Sequence, residues 1–209
     1  DPITVPGEAD VIVTAQNKQP YIGTVVVSSP DGPYVLLDTY VLDDNAGNQN
    51  ALADYGENIL LNVSLKNLGN ADANNVSATL VSTDPYVSII SDNHDWGLIP
   101  SQESLNQDAA FEIQIADSIP DQYKLQFELQ ISDNNESWSS SMSIMVNAPV
   151  LAIGHISVDD ATSGNNNGRL DPGEMADLII PVSNTGSSAS PEGMGSLISN
   201  SSFIIVNTT

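Results

Sequence analysis

The chain has 209 residues, no cysteine and a formal charge of −23, from 27 acidic residues against four Lys and Arg. So negative a surface repels phosphate groups, which argues against binding to nucleic acids or anionic membranes. The lack of cysteine excludes disulfides, a cysteine nucleophile and zinc–thiolate sites. No apolar run approaches the ~18 residues of a membrane-spanning helix, so no membrane insertion is predicted.

Alternation of apolar and polar residues, broken by Gly, Pro, Asn, Asp and Ser, predicts an all-β fold throughout. Residues 9–15 and 21–28 are predicted as strands around a turn at 16–20. Because two strands do not form a stable domain alone, residues 1–33 are interpreted as the C-terminal strands of a preceding immunoglobulin-like (Ig-like) domain. The start at Asp1, without Met or a signal peptide, predicts a piece of a longer protein.

Residues 34–148 are predicted to form one complete Ig-like β-sandwich, since about 100 residues is the usual size of this fold. The predicted strands are 35–42, 58–66, 76–82, 86–90, 111–115, 124–132 and 137–146. Alternation is clearest at residues 125–131. That pattern places Leu125, Phe127, Leu129 and Ile131 on one buried face.

Residues 149–209 are predicted to be the N-terminal part of a second, incomplete Ig-like module. Its predicted strands are 150–158, 177–183 and 203–206, and nothing in it corresponds to residues 93–148. A half sandwich exposes apolar edges. Either the remaining strands lie outside this chain or another chain completes the module.

An acidic loop occurs twice, at residues 43–57 (loop 1) and 159–174 (loop 2), which marks the chain as a tandem repeat. From Asn48 onward the two copies run in register at a spacing of 117. The matched positions include Asn48/Asn165, Asn50/Asn167, Asp54/Asp171, Gly56/Gly173, Glu57/Glu174, Asn67/Asn184, Gly69/Gly186, Leu80/Leu197 and Tyr86/Phe203.

The oxygen-bearing side chains of both loops predict calcium sites, because calcium takes six to eight oxygens from carboxylates, amides and carbonyls. The predicted ligands are Asp44, Asn48, Asn50, Asp54 and Glu57 in loop 1, and Asp160, Asn165, Asn167, Asp171 and Glu174 in loop 2. The spacing is not that of an EF-hand. The alternative is a surface turn in which Asx side chains cap their own backbone. The spacing leaves open whether calcium or another hard cation is preferred.

No catalytic residue is predicted. His94 and His155 are isolated loop histidines, and no serine lies in a nucleophile-elbow context. The repeated Asn-X-Gly triplets at 67–69 and 184–186 are predicted to be strand-to-strand turns in which Gly supplies a positive φ.

The repeat resembles the tandem Ig-like modules of secreted bacterial proteins, notably gingipain-like cysteine peptidases exported by the type IX system. The resemblance rests on DPGE at 171–174 and IPVSNTG at 180–186, on DYGE at 54–57 and LKNLG at 65–69, and on the hairpin at 11–23. That hairpin is similar to the last hairpin of the Ig-like domain after the catalytic domain. The resemblance implies a secreted or cell-surface bacterial location. The family's catalytic Cys and His have no counterpart here.

Three functions follow as hypotheses. The first is a non-catalytic, calcium-stabilised Ig-like stalk or spacer, whose partners are neighbouring modules of the same or another copy. The second is an accessory region of a gingipain-like peptidase whose catalytic domain lies upstream. The third is a subunit of a filament, assembled head to tail when the first two strands of one copy complete the unfinished module of another.

Overall fold

The computed structural model describes residues 7–28 and 30–207, and within them it contains only strands, turns and irregular segments. The architecture is all-β with several sheets, consistent with a β-sandwich. The chain divides into two compact units, Asp1–Val146 (unit 1) and Asn147–Thr209 (unit 2). Within the described residues there is no helix of the length and hydropathy needed to cross a membrane.

Unit 1 contains eleven strands among its described residues. Their bounds are β1 Gly7–Val13, β2 Tyr21–Val27, β3 Val35–Asp43, β4 Ala53–Asp54, β5 Asn58–Asn67, β6 Ala73–Val81, β7 Val87–Ser91, β8 Asn93–Ile99, β9 Ser104–Ile115, β10 Tyr123–Ser132 and β11 Ser137–Asn147. The strands predicted up to residue 146 all form, and their bounds agree within three residues except at β9, which begins seven residues before the predicted 111–115. The two-residue β4 and the bulged β8 were not predicted.

Two sheets form the core of unit 1. One has the order β3-β5-β9-β7 and the other the order β4-β11-β10-β6-β8. In β10, Leu125, Phe127, Leu129 and Ile131 are all buried, as the alternation predicts. The sheets meet where Trp96 of β8 packs against Phe111 of β9, with ring centroids 6.0 Å apart.

The hairpin β1–β2 forms a separate two-stranded sheet, with Val13 paired to Tyr21. It leaves apolar side chains in contact with solvent on both faces, Ile12 and Ile22 on one and Val13 and Tyr21 on the other. This matches the predicted pair of strands around a turn. Its assignment to a preceding Ig-like domain stays a prediction.

Among its described residues, unit 2 contains four short strands: β12 Leu151–Ile153, β13 Ser157–Asp159, β14 Asp177–Ile179 and β15 Val182–Asn184. The predicted single strands at 150–158 and 177–183 are therefore wrong, because each is split in two. Pro181 interrupts the second, since proline has no N–H to donate to a ladder. Opposite it, Gly154 donates its N–H to the Pro181 carbonyl over 2.8 Å.

The predicted strand at 203–206 is also wrong, since no strand forms there. Its counterpart in unit 1 is β7, which pairs with β9. Among described residues 147–207, no strand corresponds to β9. Phe203 is 96 % exposed.

The two units share the register of their first two strands, which supports the repeat. Val35 opposes Asn67 in unit 1, and Leu151 opposes Asn184 in unit 2. The agreement continues to the loop, where Asp43 opposes Leu60 and Asp159 opposes Asp177. Even the irregularity recurs, because the bulge at Asp38 in unit 1 corresponds to the break at Gly154 in unit 2.

Candidate cation sites in the acidic loops

Loop 1 begins as β3 ends and returns through β4 to the start of β5. β4 is an edge strand of the five-stranded sheet and lies next to β11. This pairing holds the end of the loop against the sandwich. Asp54, the second residue of β4, is consequently only 2 % exposed.

Two asparagines converge on the Asp54 carboxylate. The Nδ2 amides of Asn48 and Asn50 donate to the same oxygen, Asp54 Oδ2, over 2.7 and 2.8 Å. The side-chain oxygens of both asparagines accept backbone N–H groups two residues further on, from Asn50 and Leu52. These are the Asx turns of the alternative interpretation. The asparagines thus order the loop whether or not a cation binds.

Glu57 clasps the two ends of loop 1. Its Oε1 accepts the N–H of Asn48 over 3.0 Å, and its Oε2 accepts the N–H of Asp54 over 3.1 Å. Gly47 leaves the room for this carboxylate, because a Cβ at Gly47 would overlap the Glu57 carboxylate. The glutamate is therefore positioned by the backbone, and it adds its negative charge to those of the three aspartates in the loop.

Asp44 is anchored on the opposite side of loop 1. It is 6 % exposed, and its Oδ2 accepts the N–H of Ala51 over 3.0 Å. Its own carbonyl accepts the N–H of Gly47 over 2.7 Å. These two hydrogen bonds of Asp44 close the first turn of loop 1.

One atom of loop 1 is not accounted for by these contacts. Asp54 Oδ1 is buried and has no hydrogen-bond partner among the described residues. Leaving a buried carboxylate oxygen unpaired costs free energy, more for a charged group than for a neutral one. A hard cation is one partner that would satisfy this oxygen, because such ions take carboxylate oxygens as ligands.

Loop 2 repeats the contacts of loop 1. Asn165 and Asn167 donate their amides to Asp171 Oδ2 over 3.0 and 2.8 Å. Glu174 accepts the N–H of Asn165 over 2.7 Å and the N–H of Asp171 over 3.0 Å. A Cβ at Gly164 would overlap this glutamate, as at Gly47.

Hydrogen bonds also shift the pKa values of two carboxylates in loop 2. The amides of Asn167 and Asn165 lower the pKa of Asp171, because they stabilise the ionised carboxylate. Burial alone would raise the pKa of Asp160, but N–H groups of Gly168 and Asn167 outweigh it and lower that pKa. Both carboxylates are therefore held in the charged form that a cation requires.

Loop 2 differs from loop 1 in its surroundings. Residues 170–171 form no strand, so β4 has no counterpart in unit 2. Asp171 is half-buried, whereas Asp54 is buried. Asp160 remains 1 % exposed, because both of its oxygens face backbone N–H groups of its own loop.

The structure thus brings together three of the predicted ligands in each loop: Asn48, Asn50 and Asp54, and Asn165, Asn167 and Asp171. Each glutamate joins them through backbone N–H groups, while Asp44 and Asp160 hold the turns. Within residues 7–28 and 30–207, no three His, Cys, Asp or Glu side chains form a group that could hold a metal ion. Any cation ligand set would therefore have to include amide or backbone oxygens.

The Asn-X-Gly triplets hold the chain together in a way that the sequence did not reveal. Asn67 Oδ1 accepts the N–H groups of Tyr34 and Gly69, both over 3.0 Å. Neither Gly69 nor Gly186 is among the glycines with positive φ, so the predicted reason for them is wrong. A Cβ at either position would instead strike the backbone of the segment leading into β3 or β12.

The two histidines lie apart from these loops in the sequence. His94 lies in β8 and not in a loop, so that prediction is wrong, and it contacts Trp96 edge to face with ring centroids 5.2 Å apart. His155 is exposed in an irregular segment. The chain matches no family model, and it has no significant match among curated proteins. An all-β fold carrying two copies of one acidic loop is therefore the basis for a functional argument.

Proposed function

We propose that the chain is a non-catalytic spacer of Ig-like β-sandwich modules, and that a hard cation, calcium first, stabilises its acidic loops. The sandwich is supported by two sheets with one core in unit 1, and the modular repeat by the shared register of the two units. We place the parent protein outside the cell or on its surface in bacteria, in keeping with the resemblance of its motifs.

The observation that carries the cation proposal is the buried Asp54 Oδ1, which has no hydrogen-bond partner among the described residues. A bound cation would neutralise the carboxylates and supply oxygen coordination. The chain itself provides the rest: β4 holds Asp54 in place, and Glu57 joins the start of the loop to its end. Binding would thus tie the long β3–β5 connection to the sandwich.

Thermal unfolding of the whole chain in calcium and in excess chelator tests this proposal. A ligand that binds only the folded state stabilises it by about 2.7 kcal/mol at a hundredfold excess over Kd. For a domain of this size that corresponds to roughly 2–4 °C per kcal/mol. We expect calcium to raise Tm by several degrees and chelator to reverse the rise.

Two variants that each remove one negative charge provide the matched comparison. Asp54→Asn removes the buried carboxylate, whereas Asp95→Asn removes an exposed one in β8. We expect the calcium-dependent rise to shrink in Asp54→Asn and to persist in Asp95→Asn. A Tm that is the same in calcium and in chelator would indicate that the loops are only Asx-rich turns and would contradict the cation proposal.

A second candidate is self-assembly. Ile22 and Val26 of the hairpin are exposed, and so are Leu178 and Val182 of unit 2, although their counterparts Leu61 and Leu65 are buried in unit 1. A hairpin from another copy would cover these residues, but it would supply no counterpart of β9. Sedimentation at rising protein concentration tests it, and a monomer at the highest concentration rejects it.

A further inference from the structure

The chain contains two copies of one loop in two different settings. Both carry the same ligand types and the same Asn–Asp and Glu–backbone hydrogen bonds. In loop 1 the last aspartate belongs to β4 and is buried beside β11. In loop 2 the corresponding aspartate belongs to no strand and is half-buried. The surrounding sheet therefore differs between the loops, besides residue changes such as Leu52 in loop 1 to Arg169 in loop 2.

This setting alters the strength with which a carboxylate attracts a cation. Charges in a protein environment interact several times more strongly than charges surrounded by water, because the effective dielectric constant is lower. The sandwich also removes water from Asp54 Oδ1 without giving it a partner, so a cation displaces less water there. Asp171 keeps its access to solvent, and solvent competes with the cation.

We propose that the loops are unequal cation sites, with loop 1 tight and loop 2 weak, and that the pairing of β4 with β11 sets the difference. The inference rests on the proposed function, because it requires that the loops bind cations at all. It adds a form of regulation to that function. Whether a loop binds its cation depends on whether the last strand of its own sandwich, which is β11 in unit 1, pairs beside that loop.

The dependence is reciprocal, because a linkage between two equilibria acts in both directions. A cation in loop 1 favours the state in which β4 lies against β11, and that state favours the cation. The same reasoning predicts that loop 2 gains affinity when a strand pairs with residues 170–171 as β11 pairs with β4.

Luminescence of bound terbium, a calcium substitute that neighbouring tyrosine sensitises, separates the sites. Loop 1 carries Tyr55, whereas loop 2 has Pro172 at the matching position. Titration of the whole chain should give a saturable signal that is lost in Tyr55→Phe. In Pro172→Tyr, which places the loop 1 residue in loop 2, a second phase should appear at terbium concentrations roughly tenfold higher or more, as expected for a free-energy difference of about 1.4 kcal/mol.

Calorimetric titration with calcium, in the wild type and two matched variants, decides the assignment. Asp54→Asn should remove the tight phase and leave the weak one, and Asp171→Asn should do the reverse. Two phases of equal affinity would overturn the inference while leaving the proposed function standing. No heat and no luminescence at either loop would instead reject the proposed function itself.

Discussion

Asn67 is the residue on which the start of unit 1 depends. It is fully buried, and its amide nitrogen donates to the carbonyls of Ala71 and Ile99 over 2.8 and 3.1 Å. Its oxygen accepts two backbone N–H groups, so the side chain links the segment before β3, the turn after β5 and the end of β8. Its counterpart Asn184 makes the matching bonds to Val150 and Gly186 but is exposed.

Replacing Asn67 tests this role. Asn67→Ala should lower the free energy of unfolding by about 3 kcal/mol or more, because it leaves several buried backbone groups unpaired. Asn184→Ala is the matched control and should cost less, because water can reach the groups it exposes. Urea denaturation of both variants measures the difference. Equal losses of unfolding free energy in the two variants would show that burial does not determine how much this side chain stabilises the fold.

Gly47 offers a second test at the scale of one residue. Gly47→Ala should displace the Glu57 carboxylate and break its hydrogen bonds to the N–H groups of Asn48 and Asp54. We expect the free energy of unfolding to fall by about 1–3 kcal/mol, as for an overpacked site. Gly193→Ala serves as the control, since nothing lies within 4 Å of a Cβ there. Thermal unfolding in chelator measures the effect without the contribution of a cation. Unchanged stability in Gly47→Ala would show that Glu57 relocates freely.

The sequence predicted the candidate ligands at this scale but not their separate tasks. Repetition of oxygen-bearing residues identifies Asp44 and Asp54 equally, because both are aspartates in one loop. Only the fold shows that Asp44 accepts a backbone N–H while one oxygen of Asp54 is left unpaired. The close approach at Gly69 was hidden for the same reason, since it depends on a segment far away in the sequence.

Among the elements, strands with strict alternation were predictable and irregular ones were not. β10 alternates over its whole length, and its position was predicted to within one residue. β8 pairs with β6 through two shifts of register, which disturb the alternation that would reveal it. β4 has two residues, too few to show a period. The break of the unit 2 strands at Pro181 was readable from the sequence, because proline interrupts a ladder.

The contribution of β9 to the stability of unit 1 can be measured by replacing its aromatic residue, Phe111. Phe111 is fully buried between the two sheets, so Phe111→Ala should destabilise unit 1 by about 3–5 kcal/mol. Phe203→Ala changes the same residue type at a site that is 96 % exposed, and its effect should stay within about 0.5 kcal/mol. Chemical denaturation followed by tryptophan fluorescence compares them. A large effect of Phe203→Ala would indicate that a contact covers it in solution.

For the molecule as a whole, the two units should differ in local stability. Unit 1 buries apolar side chains from both of its core sheets, whereas Leu151, Ile153 and Val182 of unit 2 are each more than half exposed. Regions with few buried apolar contacts open at low cost in free energy. We expect amide hydrogens of β5, β9 and β10 to exchange slowly and those of β12–β15 to exchange much faster. Equal protection would mean that unit 2 is covered in solution.

The position of the two tryptophans makes one standard probe blind to part of the chain. Trp96 and Trp138 are its only indoles, and both lie in unit 1, Trp138 edge to face with Tyr34. Emission recorded during heating follows the core of unit 1, because Trp96 lies in β8 and Trp138 in β11, whereas circular dichroism averages over the strands of both units. Because coincident transitions are the test of two-state behaviour, one sample read by both methods would give two midpoints, and their separation would report how independently residues 147–209 melt.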